Sequence, residues 1–407
     1  MTTSSTTPTA AARAQLGERA LFPTLDARVY LAHAAISPLP EPARAAVDDV
    51  LAEYARRGFF AWQRGQAEQS GLKAELAALL GASVDDLALT RGTSSSVTAV
   101  AQSFPFEAGD GLVLLRGEFP TNVTPWLMAA RGSGLLVHWL DADAFRPGGE
   151  GLSQLEHLLR ERAGHIRLVA MSAVQFQTGL RMPLDDVAAL CRRHGAALSV
   201  DAIQAAGVVP LDLAALDADF VAGGAHKWLM GLEGVGWLWA APRWRGRLRP
   251  ALASWLSHED PVSFLGEAGQ LRYDRPIRPY VDFLEGGSAS VVGAAALRAS
   301  VALLRELGPD AILAHVDAWN DRAEAGLVEL GLRSLRTRDA RGRSGILALT
   351  PPDDVALPAL RDALVARGVA VTAPDGVLRL APHWPNALAE ADLTVDLVAD
   401  CLRELRG

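Results

Sequence analysis

Short apolar runs alternate with segments of helical period between residues 72 and 241, and this alternation limits the fold more than any other feature of the chain. The runs fall at 112–115, 135–140, 166–171, 197–201, 220–222 and 235–239, with helices predicted at 97–101, 152–160 and 187–193. Strands that alternate with helices predict an α/β fold with a large, doubly wound, mostly parallel sheet. Ligands of such sheets bind at the carboxyl ends of the strands.

The pattern changes near residue 286. A long helix is predicted at 294–307, followed by strands at 345–349, 369–372 and 377–380 and by helices at 357–367 and 393–405. The sequence therefore predicts a large domain over residues 21–285 and a smaller α+β domain over 286–407. A helix near 41–54 is expected to pack on the smaller domain. Residues 1–20 are expected to be a disordered tail and not a signal peptide, because they lack an apolar segment.

Composition argues against several classes of function. The net charge is −8 and no basic patch occurs, so nucleic acid is not expected as a partner. No uncharged apolar stretch is long enough to span a membrane. Cys191 and Cys401 lie far apart, which suits a reducing, cytoplasmic location. The histidines form no metal-binding motif such as HExxH, so no metal site is predicted.

Lysine is almost absent from the chain. Of the 39 basic residues only Lys73 and Lys227 are lysine, so arginine serves wherever a positive charge alone is needed. Lys227 lies in the segment GGAHKWLM, whose small and apolar residues suit a desolvated amine. An amine can form a Schiff base with an aldehyde, whereas a guanidinium cannot. The alternative is a lysine whose stem packs on Trp228 while its ammonium reaches water.

Two further segments suit an aldehyde cofactor such as pyridoxal phosphate (PLP), which needs a lysine, an acid beside its pyridine nitrogen and donors for its phosphate. Asp201 ends an apolar run, where a carboxylate can keep a pyridinium protonated; a helix N-cap is the alternative. The segment RGTSSS at 91–96 precedes a predicted helix, whose free N–H groups and positive dipole end suit a phosphate. An ordinary capping sequence is the alternative there.

Other catalytic motifs fit the sequence less well. The glycines at 231–236 are similar to a dinucleotide-binding fingerprint, but they precede a predicted strand and open no helix. No G-x-S-x-G elbow of a serine hydrolase occurs.

The order of the motifs resembles one family. Asp201-x-x-Gln204, then His226-Lys227, then a glycine-rich strand entry, is similar to the class V aminotransferases. These are fold-type I PLP enzymes, and they include cysteine desulfurases, kynureninases and isopenicillin N epimerase-like proteins. The resemblance runs from about Tyr30 to the end of the chain. It implies PLP as the cofactor, an amino acid as the substrate and a homodimer with a composite active site.

The resemblance implies roles for four residues around the cofactor ring. Lys227 would hold the cofactor as a Schiff base and, once released, act as the base that moves the α-proton. Asp201 would pair with the pyridinium nitrogen, and Gln204 would hydrogen-bond the ring hydroxyl. Phe119, in the segment GEFPTN, matches the position whose ring stacks on the cofactor. Apart from the resemblance, Phe119 would be an ordinary core residue.

The remaining implied roles concern the phosphate and the substrate. Thr93 and Ser94 would bind the phosphate, with His226 beside them. Ser288, in the segment LEGGS, would reach the phosphate of the neighbouring subunit. Arg379, in the segment GVLRLAPH, would clamp the substrate carboxylate with its planar fork. Apart from the resemblance, Arg379 would be interpreted as a surface residue of a strand.

Three departures from the family pattern bear on the reaction. Gly224 stands where many relatives have a phosphate-binding serine. Phe176 stands where desulfurases have an asparagine near the ring hydroxyl. Neither cysteine lies at 335–345, where the nucleophile of a desulfurase is expected, so persulfide chemistry on an enzyme cysteine is not expected.

Transamination is the expected reaction. Epimerisation and a cysteine-type β-elimination without a catalytic cysteine share its first half and stay open. Two alternatives come from other classes: a non-catalytic PLP-fold binding protein, and a nucleotide-dependent oxidoreductase on the same kind of sheet.

Overall fold

The computed structural model describes residues 13–407. Residues 1–12 of the predicted tail lie outside the described residues. Residues 13–20 were expected to belong to a disordered tail, but they pack against the rest of the chain. Ala14 is buried, and Gly17 N donates a hydrogen bond of 2.6 Å to Trp384 O. These residues are therefore part of the folded chain.

The strands of the described chain form three sheets. They are β1 (Val29–Tyr30), β2 (Leu87–Thr90), β3 (Gly111–Arg116), β4 (Leu136–Asp141), β5 (Ile166–Ser172), β6 (Ala197–Asp201), β7 (Phe220–Gly224), β8 (Gly236–Ala240), β9 (Arg333–Ser334), β10 (Leu347–Thr350), β11 (Val369–Ala370) and β12 (Leu378–Leu380). The seven-stranded sheet has the order β2-β8-β7-β6-β5-β3-β4. Its strands pair in parallel, except that β8 is antiparallel to β2 and β7. The smaller sheets are antiparallel β12-β10-β9 and parallel β1-β11.

Helices cover the large sheet and form most of the C-terminal part of the chain. They are α1 (Glu41–Arg57), α2 (Trp62–Leu80), α3 (Thr93–Ser103), α4 (Thr124–Ser133), α5 (Gly151–Glu161), α6 (Leu184–His194), α7 (Val291–Leu307), α8 (Pro309–Glu329), α9 (Leu357–Ala366) and α10 (Ala389–Arg406). Helix α6 shows how the local sequence sets such bounds. Asp185 and Asp186 occupy its first turn, Arg192 and Arg193 its last, and Gly195 ends it with φ of 72°. These charges complement the helix dipole, and glycine tolerates the left-handed conformation.

The central strands are buried on both faces, as near-continuous apolar runs predict for parallel strands between helix layers. Every residue of β6, β7 and β8 is buried. The predicted fold class, an α/β fold with a mostly parallel sheet and a smaller C-terminal α+β unit, is confirmed. No helix among residues 13–407 is long and apolar enough to cross a membrane.

The apolar core consists of two clusters. The larger one contains the seven-stranded sheet and includes Leu297 and Val301 of α7. The smaller one contains Trp319 of α8 together with residues of β1, β10, β12, α9 and α10. Helices α1 and α2 both pack against α7. Helix α7 thus packs in the larger core and strand β1 in the smaller one. The predicted domain boundary at residue 286 stays a prediction.

A buried ion-pair cluster ties the segment after β9 to α8. The Arg336 side chain is 2% exposed and contacts three carboxylates, those of Asp317, Asp321 and Glu324. Such a buried cation is stable because these carboxylates compensate its charge.

Candidate active site

Lys227 lies in the turn that follows β7. The turn is closed by hydrogen bonds of 2.9 Å from Met230 N to Lys227 O and from Gly231 N to Ala225 O. Burial lowers the pKa of the Lys227 amine to about 8; the Asp201 carboxylate opposes this shift and the Arg379 guanidinium adds to it. The amine therefore loses its proton more readily than a solvated lysine and is a stronger candidate nucleophile.

Asp201 is the last residue of β6 and is 3% exposed. Burial raises the pKa of its carboxyl to about 6, against the hydrogen bond from Ile203 N and the charge of Lys227. Ile203 N donates to Asp201 Oδ1 at 2.9 Å, as in a turn cap, but no α-helix starts there. The helix N-cap interpretation is therefore wrong. The carboxylate lies among buried groups and interacts electrostatically with Lys227.

The start of α3 offers donors suited to a phosphate. Gly92 precedes the helix with φ of 138°, and Thr93 is its first residue. Thr93 Oγ1 is buried and has no hydrogen-bond partner among residues 13–407. Ser95 and Ser96 instead donate to Gly92 O at 2.7 and 3.1 Å, so their hydroxyls are used in local side chain-to-backbone hydrogen bonds. A buried hydroxyl without a partner, next to free helix N–H groups, fits a phosphate group.

Two other groups border this helix start. Ser94 Oγ lies 2.8 Å from Thr121 Oγ1, so its hydroxyl already has a partner on another segment. A Cβ added at Gly224 would lie 3.0 Å from Thr93 Oγ1 and 3.1 Å from Ile203 Cδ1. Glycine at this position therefore leaves room for Thr93.

Phe119 and Phe176 form an aromatic pair beside Lys227. Phe119 is 45% exposed, so the core-residue interpretation is wrong. Its ring centroid lies 5.3 Å from that of Phe176, at an interplanar angle of 73°. Lys227 Nζ lies 5.6 Å from the Phe119 centroid. The site therefore contains an exposed flat surface next to its amine.

Arg379, in β12, is buried and not a surface residue. It is 5% exposed, and burial lowers its pKa to about 10, which leaves it charged at neutral pH. Its Nε donates to Thr372 Oγ1 at 3.1 Å and its Nη1 to Phe176 O at 2.6 Å. It forms no ion pair with a carboxylate among residues 13–407. A buried cation without a counter-ion is a strong candidate for binding a carboxylate ligand.

Gln204 has a different environment from the one its implied role needs. Its Nε2 donates to Ala34 O at 3.0 Å, and its Oε1 accepts from Trp228 Nε1 at 2.9 Å. It thus supports the residue after Lys227. Binding of a ring hydroxyl stays a prediction.

His226 is half-buried, and burial and the charge of Lys227 lower its pKa, while Glu233 opposes the shift. It is neutral at neutral pH. Ser288 is exposed, and its predicted role toward a second subunit stays a prediction.

Sequence reasoning missed Glu118, which follows β3 and neighbours the site. Its carboxylate accepts a hydrogen bond of 2.7 Å from Ser172 N and another from Ser172 Oγ. Burial raises the pKa of Glu118 to about 7; the hydrogen bonds of Ser172 oppose the shift, and the charge of Asp201 adds to it. The available signal was an acid next to Phe119, shortly after the apolar run at 112–115.

The glycines at 231–236 lead into β8 and open no helix, so the dinucleotide alternative loses its only motif. Three strands precede the site residues: β3, β6 and β7. Strands β6 and β7 are parallel neighbours in the sheet, and β5 lies between β6 and β3, parallel to both. The carboxyl ends of β3, β6 and β7 carry Phe119, Asp201 and Lys227, as the rule for such sheets predicts.

Known proteins resemble the chain over nearly its whole length. Isopenicillin N epimerase of Streptomyces clavuligerus is 30% identical and covers 82% of this chain and 83% of its own. The uncharacterized aminotransferase YcbU of Bacillus subtilis (strain 168) is 25% identical, over 94% and 96%. The cysteine desulfurase CsdA from Escherichia coli has a solved structure that superposes with a TM-score of 0.81, at 25% identity, over 95% and 97%. The family model described as aminotransferase class-V matches residues 29–380, and the chain belongs to that family.

Proposed function

We propose that the chain catalyses transamination of an amino acid with PLP as its cofactor. The observation that carries the proposal is the Lys227 amine, whose pKa burial lowers to about 8 and which faces the exposed Phe119 ring. The buried Arg379 nearby supplies a carboxylate site.

Family membership supports PLP as the cofactor. When bound, PLP supplies an aldehyde and an electron sink that weakens the bonds at the α-carbon of an amino acid. Thr93 and the N–H groups at the start of α3 would hold its phosphate. Phe119 would support one face of its ring, and the Asp201 carboxylate would hold a proton at its ring nitrogen.

Lys227 would bind the cofactor covalently and move a proton at the substrate α-carbon. Two properties suit the amine to both tasks: its pKa is close to neutral, and the Asp201 charge limits how far burial lowers that pKa. Arg379 would bind the substrate carboxylate. Because Phe176 O and Thr372 Oγ1 fix two of its nitrogens, the guanidinium is held in one orientation before the substrate arrives.

The choice of transamination over epimerisation depends on the number of bases. Transamination needs one group that carries a proton between two carbons, and Lys227 is suited to that. Epimerisation also needs a proton donor on the opposite side of the α-carbon. Phe119, whose ring centroid lies 5.6 Å from Lys227 Nζ, would face that opposite side, and its ring exchanges no proton. The similarity to isopenicillin N epimerase keeps epimerisation as the second candidate.

Persulfide transfer to an enzyme cysteine is not proposed, although desulfurases are among the relatives. Cys191 is buried in α6 and Cys401 is buried in α10. Burial raises the pKa of the Cys191 thiol to about 12. Neither thiol is an accessible nucleophile.

Incubation of the PLP-loaded protein with single amino acids and a 2-oxo acid acceptor tests the proposal. We expect a new 2-oxo acid and a new amino acid in equal amounts, measured by chiral chromatography. Accumulation of the D-enantiomer without oxo-acid exchange would assign epimerisation instead. Pyruvate and ammonia released without an acceptor would assign elimination. Bound PLP with no reaction for any amino acid would support the non-catalytic alternative.

A homodimer with a composite site is also proposed. Gly287 and Ser288 are exposed in the single chain, so they are available to a second subunit. Light scattering coupled to size-exclusion chromatography measures the mass directly, and a monomer at the concentrations that support turnover would contradict this.

A further inference from the structure

A second cavity lies apart from the Lys227 site, beside the start of α6. Its volume is about 540 Å³, within the range of about 300–1,000 Å³ that is typical of small-molecule sites. Segments 145–152, 181–186, 205–216 and 341–342 contribute its walls. No residue assigned above to cofactor or substrate lines it. The cavity therefore needs an explanation of its own.

Arg181 brings a charge without a close partner to this cavity. Among residues 13–407 its guanidinium has no hydrogen bond or ion pair, and Asp185 is the only charge that acts on its pKa. Burial lowers the pKa of the Arg181 guanidinium, and the charge of Asp185 opposes this shift. A partly desolvated guanidinium gains most from an anion that accepts two of its hydrogen bonds.

The other two arginines of the cavity already have partners. Arg146 pairs with Asp143 and donates from Nη1 to Leu335 O at 3.0 Å. Arg341 donates from Nη2 to Asp339 Oδ2 at 2.7 Å. Their charges are largely compensated within the protein, so an anion in the cavity is expected at Arg181.

The remaining walls limit the kind of anion. Leu152, Met182 and Leu216 are apolar and line the cavity. Three exposed carboxylates also line it: Asp185 and Asp186 at the first turn of α6, and Asp212, whose Oδ1 accepts hydrogen bonds from two backbone N–H groups. Their negative charges repel a dianion such as phosphate more strongly than a monoanion.

We propose that this cavity binds a small monocarboxylate with an apolar body. The carboxylate binds Arg181, and the body packs against Leu152, Met182 and Leu216. Both interactions are made at once, since the arginine and the apolar residues line the same cavity.

Isothermal titration of the PLP-loaded protein with hexanoate tests the proposal. Hexanoate should bind, and Arg181→Gln should weaken the binding by about tenfold or more, since it removes a charge-assisted hydrogen-bonded pair. Arg181→Lys keeps the charge without the planar fork and should give an intermediate affinity. Arg146→Gln is the matched control in the same cavity and should leave the affinity unchanged. Hexylamine, with the opposite charge, should not bind.

Three results would overturn the proposal. The first is equal hexanoate affinity in the wild type and in an Arg181→Gln variant whose thermal unfolding is unchanged. The second is loss of binding in Arg379→Gln but not in Arg181→Gln, which would assign hexanoate to the active site. The third is competition by inorganic phosphate at concentrations below that of hexanoate, which would mean that the cavity prefers a dianion.

Discussion

A Cβ at Gly224 would lie 3.0 Å from Thr93 Oγ1, the buried hydroxyl that has no hydrogen-bond partner in the described part of the chain. That contact is tighter than nine in ten real Cβ contacts, so Thr93 would have to move by a few tenths of an ångström. The glycine that departs from the family pattern is thus coupled to the threonine that suits the phosphate. A serine at 224 and Thr93 in its present position do not fit together without adjustment.

Gly224→Ala is therefore expected to weaken PLP binding by about three- to tenfold, or roughly 1 kcal/mol, because it displaces Thr93. Thr93→Val should have a similar or larger effect, since it removes the hydroxyl at nearly constant volume. Equilibrium dialysis of the apoprotein against PLP measures both. Gly132→Ala is the control, because a Cβ at Gly132 meets nothing within 4 Å. Unchanged PLP affinity in both test variants would contradict this phosphate site.

Lys227→Ala should reduce turnover by about a thousandfold or more, because no other amine can replace it as nucleophile and base. The control is Lys73→Ala, which removes the second lysine of the chain. Lys73 lies 3.1 Å from Glu285 in an ion pair, and its loss should leave turnover unchanged. Borohydride reduction and peptide mapping should find the cofactor mass on the peptide that contains residue 227. Cofactor mass on the Lys73 peptide would contradict the assignment.

Asp201→Asn should flatten the pH dependence of stability of the apoprotein. The folded-state pKa of Asp201 is about 6 and its usual value is 3.8, so the unfolded chain loses this proton first. The free energy of unfolding therefore falls as the pH rises from about 4 to 6, by at most about 3 kcal/mol for two pKa units. Urea unfolding of both proteins at pH 4.5 and pH 7.5 measures this. Asparagine also removes the partner of Lys227, so the measured difference should be smaller, about 1–2 kcal/mol.

The same pH slope for the wild type and Asp201→Asn would mean that Asp201 does not titrate in this range. The PLP-loaded protein offers an independent check. There the variant should bind the cofactor more weakly, because the ring nitrogen loses a charged partner.

Arg379→Leu should raise the KM for amino acids by about a hundredfold, since it removes a buried, charge-assisted carboxylate contact. Primary amines without a carboxylate should react at the same low rate with either protein. This comparison separates carboxylate binding from a general loss of structure. Arg379→Lys, which keeps the charge but not the fork, is the conservative control and should lie between the two. Equal losses for amines and amino acids would contradict a role in carboxylate binding.

Arg336→Met should lower the free energy of unfolding by about 2–3 kcal/mol at pH 7, because the carboxylates of Asp317, Asp321 and Glu324 then repel one another. Among the described residues only Arg343 remains to offset this repulsion, at 3.5 Å from Asp317 and 3.3 Å from Asp321. Protonation relieves this repulsion, so the difference from wild type should shrink toward pH 4. Arg333→Met is the control, since its partner Asp353 is 86% exposed and such pairs contribute little. A loss in Arg336→Met that is independent of pH would indicate packing and not charge as its cause.

The strands of the large sheet could be predicted because strands that are buried on both faces need continuous apolar runs, and such runs are visible in the sequence. Strand β6 was predicted with its observed bounds, and all five of its residues are buried. Helices α2 and α8 were not predicted. Their sequences have no strong apolar stripe, and the packing of α2 on α7 and of α8 on α10 supplies most of their stability.

The catalytic candidates divide in the same way. Lys227, Asp201 and Thr93 could be found in the sequence because lysine is rare and because the motifs fall at the ends of predicted elements. Glu118, the cavity at Arg181 and the partners of Gln204 could not. Gln204 pairs with Ala34 and Trp228, and no local pattern indicates a contact across 170 residues.

The sequence by itself determined the alternation of strands and helices in the large sheet and which residue types reach its carboxyl edge, because burial and chain direction act locally. The tertiary structure alone decided which of these side chains are desolvated and which have partners. Arg379 illustrates the difference. It lies in a strand of three residues, and only packing against Phe176 and Thr372 makes it a buried cation. Desolvation depends on every neighbour in space, and distant segments supply most of those neighbours.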